Sequence, residues 1–356
     1  MSATFDRTQA FCTRFGLRIP ILLAPMAGVA APALSSAVAN AGGMGSCGVL
    51  LMKPEEIVAW ASEVRSKSNG AFQLNIWIPD PAPHRDAGAE TKVRDFLGTW
   101  GPAVPATAAD EPLQDFDAQC EAILTAGPPI VSSVMGLYAP EFVARFKARG
   151  IAWFAVVTTV AEARAAEAAG ADAIIAQGME AGGHRGAFEA AMAERRLVGL
   201  FALLPSIVDA VGVPVIATGG IADARGVAAA LAHGASAAQI GTGFLRCPEA
   251  GISPAWADAL AVTAPEDTMV SRVFSGRPGR SIATRYVLAA AAPDAPEPAP
   301  YPIQRALTAA MRGAATRAGN IGGIQAWAGQ ASALARAEPA DILAQKIWDG
   351  ARALLA

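Results

Sequence analysis

A histidine flanked by glycines is the residue of this sequence with the clearest chemical use. His184 lies in the segment AQGMEAGGHRG, residues 176–186, which also contains Gln177. Because glycine has no side chain, the backbone on either side of the imidazole can approach a ligand closely. An imidazole titrates near neutral pH and can donate or accept a hydrogen bond. The pattern therefore favours a histidine that transfers protons or stabilises negative charge over one that only caps a loop carbonyl.

Glycine-bearing turns also follow three of the predicted strands. They are APMAG at residues 24–28, ATGGIAD at residues 217–223 and IGTGF at residues 240–244. In barrel proteins the loops after the seventh and eighth strands commonly form a phosphate site, because backbone amides and a helix N-terminus converge on the anion. Gly219-Gly220 and Gly241-Thr242 are placed for that role. The APMAG turn would let a flat ligand lie against the backbone.

The elements that must position these turns alternate between short apolar runs and longer alanine-rich stretches. Eight strands are predicted, at Ile21–Ala24, Met44–Val49, Phe72–Trp77, Ile130–Ser133, Ile151–Val157, Ala173–Ala176, Val213–Ala217 and Ala237–Ile240. Six helices are predicted between them, at Ala33–Ala41, Pro54–Lys67, Pro140–Arg149, Val160–Ala169, Leu200–Val211 and Arg225–Ala232. This alternation predicts an α/β protein, and eight such units favour a (β/α)8 TIM barrel over an open doubly wound sheet.

Two regions do not fit the repeat. Residues 79–110 are rich in proline, alanine and glycine, and residues 245–302 contain PDAPEPAPYP, whose proline density excludes a long helix. Both follow the C-terminal ends of predicted strands, the face on which barrel enzymes build their sites. We therefore expect these insertions to form a small lid or substrate lobe at that face. The barrel itself would comprise residues 1–78 and 111–244, completed by C-terminal helices within residues 303–356.

Composition and charge exclude several classes of protein. The chain has 356 residues, of which 53% are hydrophobic, and its 28 Lys and Arg against 31 Asp and Glu leave no basic excess for binding nucleic acid. Its longest uncharged stretch, residues 19–52, is broken by prolines and glycines, so no membrane-spanning helix is expected there. The four cysteines are scattered without a CxxC pair, so we predict no metal site and a cytoplasmic protein with reduced thiols.

Six segments together resemble the nitronate monooxygenase family, formerly called 2-nitropropane dioxygenases. They are PILLAPMAG, GMEAGGHRG, LLPSIVDAVGVPVIATGGIADARGVAAAL, ASAAQIGTGFLRCPEAG, FSGRPGR and WAGQ, and they are spread over most of residues 20–330. The resemblance implies a TIM barrel that binds FMN. It also implies an enzyme that uses O₂ to oxidise alkyl nitronates, with propionate 3-nitronate as one candidate, to a carbonyl compound and nitrite.

The resemblance also assigns roles to residues. His184 matches the catalytic histidine of the family. The flavin would be bound by Pro25, Met26 and Ala27 beside its ring, by the polar groups of Asn75 and Gln177, and by Gly182, Gly183, Gly219, Gly220, Gln239, Gly241 and Thr242 along the rest, mainly at the phosphate end. The segment Asn75-Ile76-Trp77 and the Pro/Ala-rich insertion after it depart from the family pattern. These departures bear on substrate size more than on the cofactor.

Two alternatives stay open at this point. An FMN-dependent enoyl-acyl-carrier-protein reductase using NAD(P)H has a similar EAGGH loop, but the HRG after the glycines, Glu189–Leu197 and LRCPEAG fit the monooxygenases better. A non-redox barrel that binds a phosphate ligand belongs to another class, and no lysine ends the sixth predicted strand to form a Schiff base. The expected partners are therefore a small nitronate and O₂, with neither nucleic acid nor membrane. The oligomeric state is not predicted.

Overall fold

The computed structural model of the protein describes residues 3–29, 31–110 and 112–356. Its strands are, in chain order, β1 (Ile21–Leu23), β2 (Gly45–Gly48), β3 (Phe72–Trp77), β4 (Ile130–Val134), β5 (Ala152–Val157), β6 (Ala173–Gln177), β7 (Gly183–His184), β8 (Val215–Thr218), β9 (Ala237–Ile240), β10 (Thr268–Ser271) and β11 (Gly279–Ile282). Eight of them form a parallel sheet in the order β1-β9-β8-β6-β5-β4-β3-β2. A parallel bridge between Leu22 and Met44 joins its two end strands. The predicted TIM barrel is confirmed.

Helices follow most of the barrel strands. They are α1 (Ala3–Phe15), α2 (Pro32–Asn40), α3 (Pro54–Lys67), α4 (Ala87–Gly98), α5 (Phe116–Ala126), α6 (Pro140–Ala148), α7 (Val160–Ala168), α8 (Leu200–Val208), α9 (Ala224–Ala232), α10 (Pro254–Val262), α11 (Arg285–Ala290), α12 (Ile303–Leu307), α13 (Ala309–Arg317) and α14 (Ala340–Leu355). The six predicted helices correspond to α2, α3, α6, α7, α8 and α9. The sequence analysis does not predict α1, α4, α5, α10 or α11. Helix α4 forms within the Pro/Ala-rich insertion because Asp86 caps it, accepting hydrogen bonds from the amides of Gly88 and Ala89 at 2.9 and 3.0 Å.

The barrel interior is apolar at the end where the strands begin. Leu22 and Ile216 are fully buried there, and Phe154 lies near the start of β5. Helix α1 packs on this end, with the rings of Phe11 and Phe15 at 6.3 and 4.9 Å from that of Phe154. The opposite end, where the strands finish, is therefore the one left for a site.

A separate apolar cluster joins the two insertions. Val93 and Leu97 of α4 pack with Phe274 and Tyr286 from the second insertion, and Leu307 of α12 belongs to the same cluster. Beside it lies a small antiparallel sheet in the order β10-β11-β7. The sequence analysis did not predict this sheet, which incorporates the segment containing His184 as its β7 strand.

Three features bear on the classes of protein considered above. No helix within the described ranges combines the length and the apolar character needed to cross a membrane. Among the same residues, no cluster of His, Cys, Asp and Glu could hold a metal ion. The four cysteines are buried and unpaired, and burial raises the pKa of the Cys47 thiol to about 12.

Candidate active site

A cavity of about 240 Å³ lies where the barrel strands end. Every residue that the sequence analysis assigns to the site lines this cavity, namely Pro25, Met26, Ala27, Asn75, Gln177, Gly182, Gly183, His184, Gly219, Gly220, Gln239, Gly241 and Thr242. The structure thus brings together residues that lie in, or directly beside, six strands of the chain: β1, β3, β6, β7, β8 and β9. Their individual roles stay predictions.

His184 is held between two indole rings. The ring centroids of Trp77 and Trp327 lie 4.6 and 4.7 Å from that of the imidazole. On its backbone side His184 pairs with Gly279 of β11. The Nε2 atom lies 2.7 Å from the hydroxyl of Ser275. Both the main chain and the ring of this histidine are therefore fixed by residues that are distant in the sequence.

The electrostatic surroundings keep this imidazole neutral. Burial lowers the pKa of His184 from 6.5 to about 3, and the nearby guanidinium groups of Arg277, Arg305 and Arg312 act in the same direction. Charging the ring would place a further cation among existing ones in a poorly solvated site. At pH 7 the residue is therefore an uncharged hydrogen-bonding group.

The side chain of Gln177 holds the histidine loop rather than offering a free amide. Its Nε2 donates to the carbonyl of His184 at 3.0 Å, and its Oε1 accepts from the amide of Gly186 at 2.8 Å. The same Oε1 accepts from Nη1 of Arg185 at 3.1 Å, and this nitrogen also donates to the carbonyl of Gly178 at 2.7 Å. Arg185 is fully buried, and burial lowers its pKa to about 10. The loop is thus built around one buried guanidinium.

The two glycines before His184 meet different surroundings. A Cβ on Gly182 would lie 2.5 Å from the amide nitrogen of Gly329. A Cβ on Gly183 would meet no atom within 4 Å, but the residue has a φ of 75°. Gly182 is therefore required for packing against the segment after Trp327, whereas Gly183 leaves the backbone open toward the cavity.

Two amide side chains in the cavity present complementary groups. Asn75 donates from Nδ2 to the hydroxyl of Ser132 at 3.0 Å, which leaves its Oδ1 as an acceptor. Gln239 accepts at Oε1 from Nε2 of Gln73 at 3.1 Å, which leaves its Nε2 as a donor. Both side chains are almost fully buried. Their partners therefore fix one acceptor and one donor for a ligand in the cavity.

Two arginines give the cavity a positive charge. Arg305 and Arg312 both line it. Arg312 donates to neutral oxygens, those of the Thr308 hydroxyl at 3.1 Å, the Gln325 side-chain amide at 2.7 Å and the Arg305 carbonyl at 2.9 Å. Burial lowers its pKa to about 10, so it stays protonated at pH 7. None of these contacts compensates the charge, and the cavity favours an anion.

Apart from His184, the side chains at the histidine end of the cavity are Trp77, Ser275, Arg305, Arg312 and Trp327. The sequence analysis names Trp77 only within a segment that bears on substrate size, and it assigns none of these five residues to the site. Ser275 and Trp327 belong to FSGRPGR and WAGQ, which the sequence analysis uses only as marks of a family. The position of Ser275 and Trp327 within these glycine-containing family segments is the signal from which they could have been predicted. The two arginines lie on α12 and α13, where no local pattern separates them from surface arginines.

Comparison with other sequences agrees with the geometry. A family model described as nitronate monooxygenase matches residues 10–349. A nitronate monooxygenase of Paraburkholderia phytofirmans is 41% identical over 345 residues, which are 95% of this chain and 93% of the relative. A nitronate monooxygenase of Pseudomonas aeruginosa is 37% identical over 338 residues, 94% of this chain and 96% of the relative. The resemblance read from the motifs is confirmed.

Solved structures of similar proteins also match almost the whole chain. A nitroalkane oxidase from Streptomyces ansochromogenes has a TM-score of 0.86 and 34% identity, with 97% of this chain and 100% of that chain covered. FabK from Thermotoga maritima has a lower TM-score of 0.76 and 27% identity, with 97% and 96% covered. The family model, the barrel and the full-length similarity to these relatives agree, and the chain is an oxidoreductase that belongs to the nitronate monooxygenase family.

Proposed function

We propose that this protein binds FMN in the cavity and uses O₂ to oxidise alkyl nitronates to a carbonyl compound and nitrite. The observation that carries the proposal is a neutral histidine, held between two tryptophans in a cation-rich cavity lined by the predicted flavin residues. When bound, the flavin would supply the redox chemistry and the reaction with O₂. The residues of the chain would bind and orient the flavin and the nitronate, and would exclude water.

The residues present fit a flavin. The pyrimidine edge of a flavin carries an N–H donor beside carbonyl acceptors, which matches the acceptor of Asn75 and the donor of Gln239. The open space at Gly183 allows a flat ring to approach the backbone. The turns at Gly219 and Thr242 end neighbouring strands β8 and β9, where backbone amides can hold a terminal phosphate. We therefore assign the polar ring edge to Asn75 and Gln239, and a supporting role to Gln177.

His184 would act by hydrogen bonding to the substrate rather than by charge. Its Nε2 faces the hydroxyl of Ser275, which can donate or accept. When the Ser275 hydroxyl donates to Nε2 instead of to the carbonyl of Arg277, which it contacts at 3.1 Å, the neutral ring carries its proton on Nδ1 and can present this N–H to a nitronate oxygen. The positive charge that the anion requires comes from Arg305 and Arg312.

The low basicity of His184 favours preformed nitronates over neutral nitroalkanes. Removing the α-proton of a nitroalkane requires a base whose pKa is matched to the task. A ring whose pKa is about 3 holds such a proton poorly. Nitronate anions are already deprotonated and need no base, and the nearby arginines stabilise their negative charge. We therefore propose nitronates as the substrates.

The unpaired arginines also favour a substrate with a second negative charge. Within the part of the chain that the structure describes, the hydrogen bonds of Arg312 all go to neutral oxygens, and Arg305 lies beside it in the cavity. A carboxylate attached to the nitronate would bind there through charge-assisted hydrogen bonds. Propionate 3-nitronate has this chemistry, and we propose it as a substrate.

Oxygen uptake with nitrite measured in parallel tests the proposed function. The purified protein should be yellow, release FMN on denaturation, and consume O₂ with propionate 3-nitronate and with alkyl nitronates. The parent nitroalkanes should react slowly. A colourless protein that takes up no flavin would support the phosphate-binding barrel instead. Rapid anaerobic bleaching of the flavin by NADH or NADPH, without nitrite release from nitronates, would support the reductase.

A further inference from the structure

A second cavity adjoins the first. It has a volume of about 360 Å³, and its lining includes Leu50, Trp77, Pro79, Leu113, Phe116 and Tyr301. Leu50 and Trp77 line both cavities. The second cavity is therefore separated from the active site by a wall that these two side chains share.

The indole of Trp77 forms the central part of this wall. Its ring lies 4.6 Å from that of His184, which lines the first cavity, and 5.3 Å from that of Tyr301, which lines the second. Trp77 is the last residue of β3, and the chain continues directly into the insertion that surrounds the second cavity. Removing the indole would join the two spaces next to the catalytic histidine.

The second cavity suits hydrocarbon rather than a further anion. Its surface is formed mainly by leucine, proline and aromatic side chains. The one arginine in its wall, Arg277, is compensated by Asp80 through bonds of 2.7 and 2.8 Å. Arg277 also donates to the carbonyl of Ala187 at 2.5 Å, so it joins the wall to the histidine loop. The cavity is thus a built space without free charge, in contrast to the arginine-lined active site.

We infer that the second cavity accepts the hydrocarbon substituent of longer nitronates, and that Trp77 is the residue that determines how much of it a substrate can reach. The inference rests on the proposed function, because it places the nitronate group at His184. With Trp77 present, the wall limits the substituent to a short chain. With a smaller residue, each methylene that enters the second cavity adds hydrophobic binding energy.

A series of linear nitronates, from ethyl nitronate to hexyl nitronate, tests this role. In Trp77→Ala, the ratio of kcat/KM for the longest member to that for the shortest should rise about tenfold or more over wild type. Trp77→Phe is the matched control, because a phenyl ring keeps most of the wall and should leave the ratio close to wild type. An unchanged ratio in Trp77→Ala, with the shortest nitronate still oxidised, would overturn the inference.

Filling the second cavity gives an independent check. Ala82 is exposed on its outer wall, so Ala82→Phe added to Trp77→Ala should fold and should return the ratio toward wild type. A double variant that keeps the full preference for hexyl nitronate would show that the hydrocarbon chain lies elsewhere, and would also overturn the inference.

Binding of inert carboxylates separates this inference from the proposed function. A carboxylate has the same planar pair of oxygens as a nitronate but is not oxidised. By calorimetry, Trp77→Ala should bind octanoate about tenfold more tightly relative to butyrate than wild type does. If no nitronate is oxidised but this preference appears, the proposed function fails and the cavity assignment stands. If nitronates are oxidised and the preference is absent, the cavity assignment fails alone.

Discussion

The two ends of the active-site cavity are built in different ways. The end assigned to the phosphate is made of backbone, in turns that follow β8 and β9 and carry Gly219, Gly220 and Thr242. The histidine end is made of side chains, such as Trp77 at the end of β3 and Trp327 of the C-terminal region. The phosphate end requires glycines, because a Cβ would block the approach of a ligand to the backbone. The histidine end depends instead on the side chains that distant segments of the chain place there. We therefore expect substitutions at the two ends to fail in different assays.

The largest effect is expected at the histidine end. His184→Asn puts a shorter side chain in place of the imidazole, so the hydrogen bond to the nitronate should be lost and turnover should fall by about 10² or more. FMN content should stay close to wild type, because the proposed flavin contacts lie on other residues. Steady-state oxygen uptake and the flavin absorbance of the purified variant measure both quantities. Near-normal turnover with full flavin would remove His184 from the mechanism.

Substitution of the two adjacent glycines should separate binding from folding. A side chain on Gly183 would point into the open cavity at a φ of 75°, so Gly183→Val should weaken FMN binding about tenfold or more through overpacking and strain. Gly182→Val would instead place its Cβ 2.5 Å from the amide nitrogen of Gly329, so it should lower the melting temperature of the apoprotein. Flavin titration and thermal unfolding distinguish the two. Identical behaviour of the variants would show that both glycines serve packing.

The charge at the histidine end should discriminate among substrates. Arg305→Gln removes one cation from the cavity, so KM for propionate 3-nitronate should rise about tenfold more than KM for ethyl nitronate. Arg317→Gln, on the exposed face of α13, is the matched control and should change neither value. Equal changes of KM for the two substrates would argue that Arg305 binds the nitronate group rather than a second carboxylate.

A separate effect is expected on stability as a function of pH. The pKa of His184 is about 3 in the folded protein against an ordinary value of 6.5, so between these values the unfolded chain binds the extra proton. Stability then rises with pH across this window and is lost as the pH falls below 6.5. Urea unfolding at several pH values should show a shallower acid loss for His184→Asn than for wild type. Parallel curves would mean that the folded histidine titrates normally.

The sequence predicts the backbone end far better than the side-chain end. Gly219 and Gly241 could be placed because a strand followed by a glycine turn is a local pattern, and the parallel strands then bring such turns together. Ser275 and Trp327 could not be placed, because they reach His184 through β11, whose pairing with β7 joins segments about a hundred residues apart in the chain. The role of Gln177 could not be predicted either, because it depends on Arg185, and no local pattern indicates that this arginine is buried.

The antiparallel pairing between β7 and β11 has a mechanical consequence. His184 pairs with Gly279, and the amide of Arg185 donates to the carbonyl of Pro278 at 2.9 Å, so the histidine's main chain belongs to the sheet of the second insertion. Any movement of β11 away from the barrel would carry the His184 ring with it. Hydrogen–deuterium exchange should therefore show the amides of β7 and β11 opening as a single unit. A site assembled in this way can be catalytically complete only while the second insertion lies against the barrel mouth.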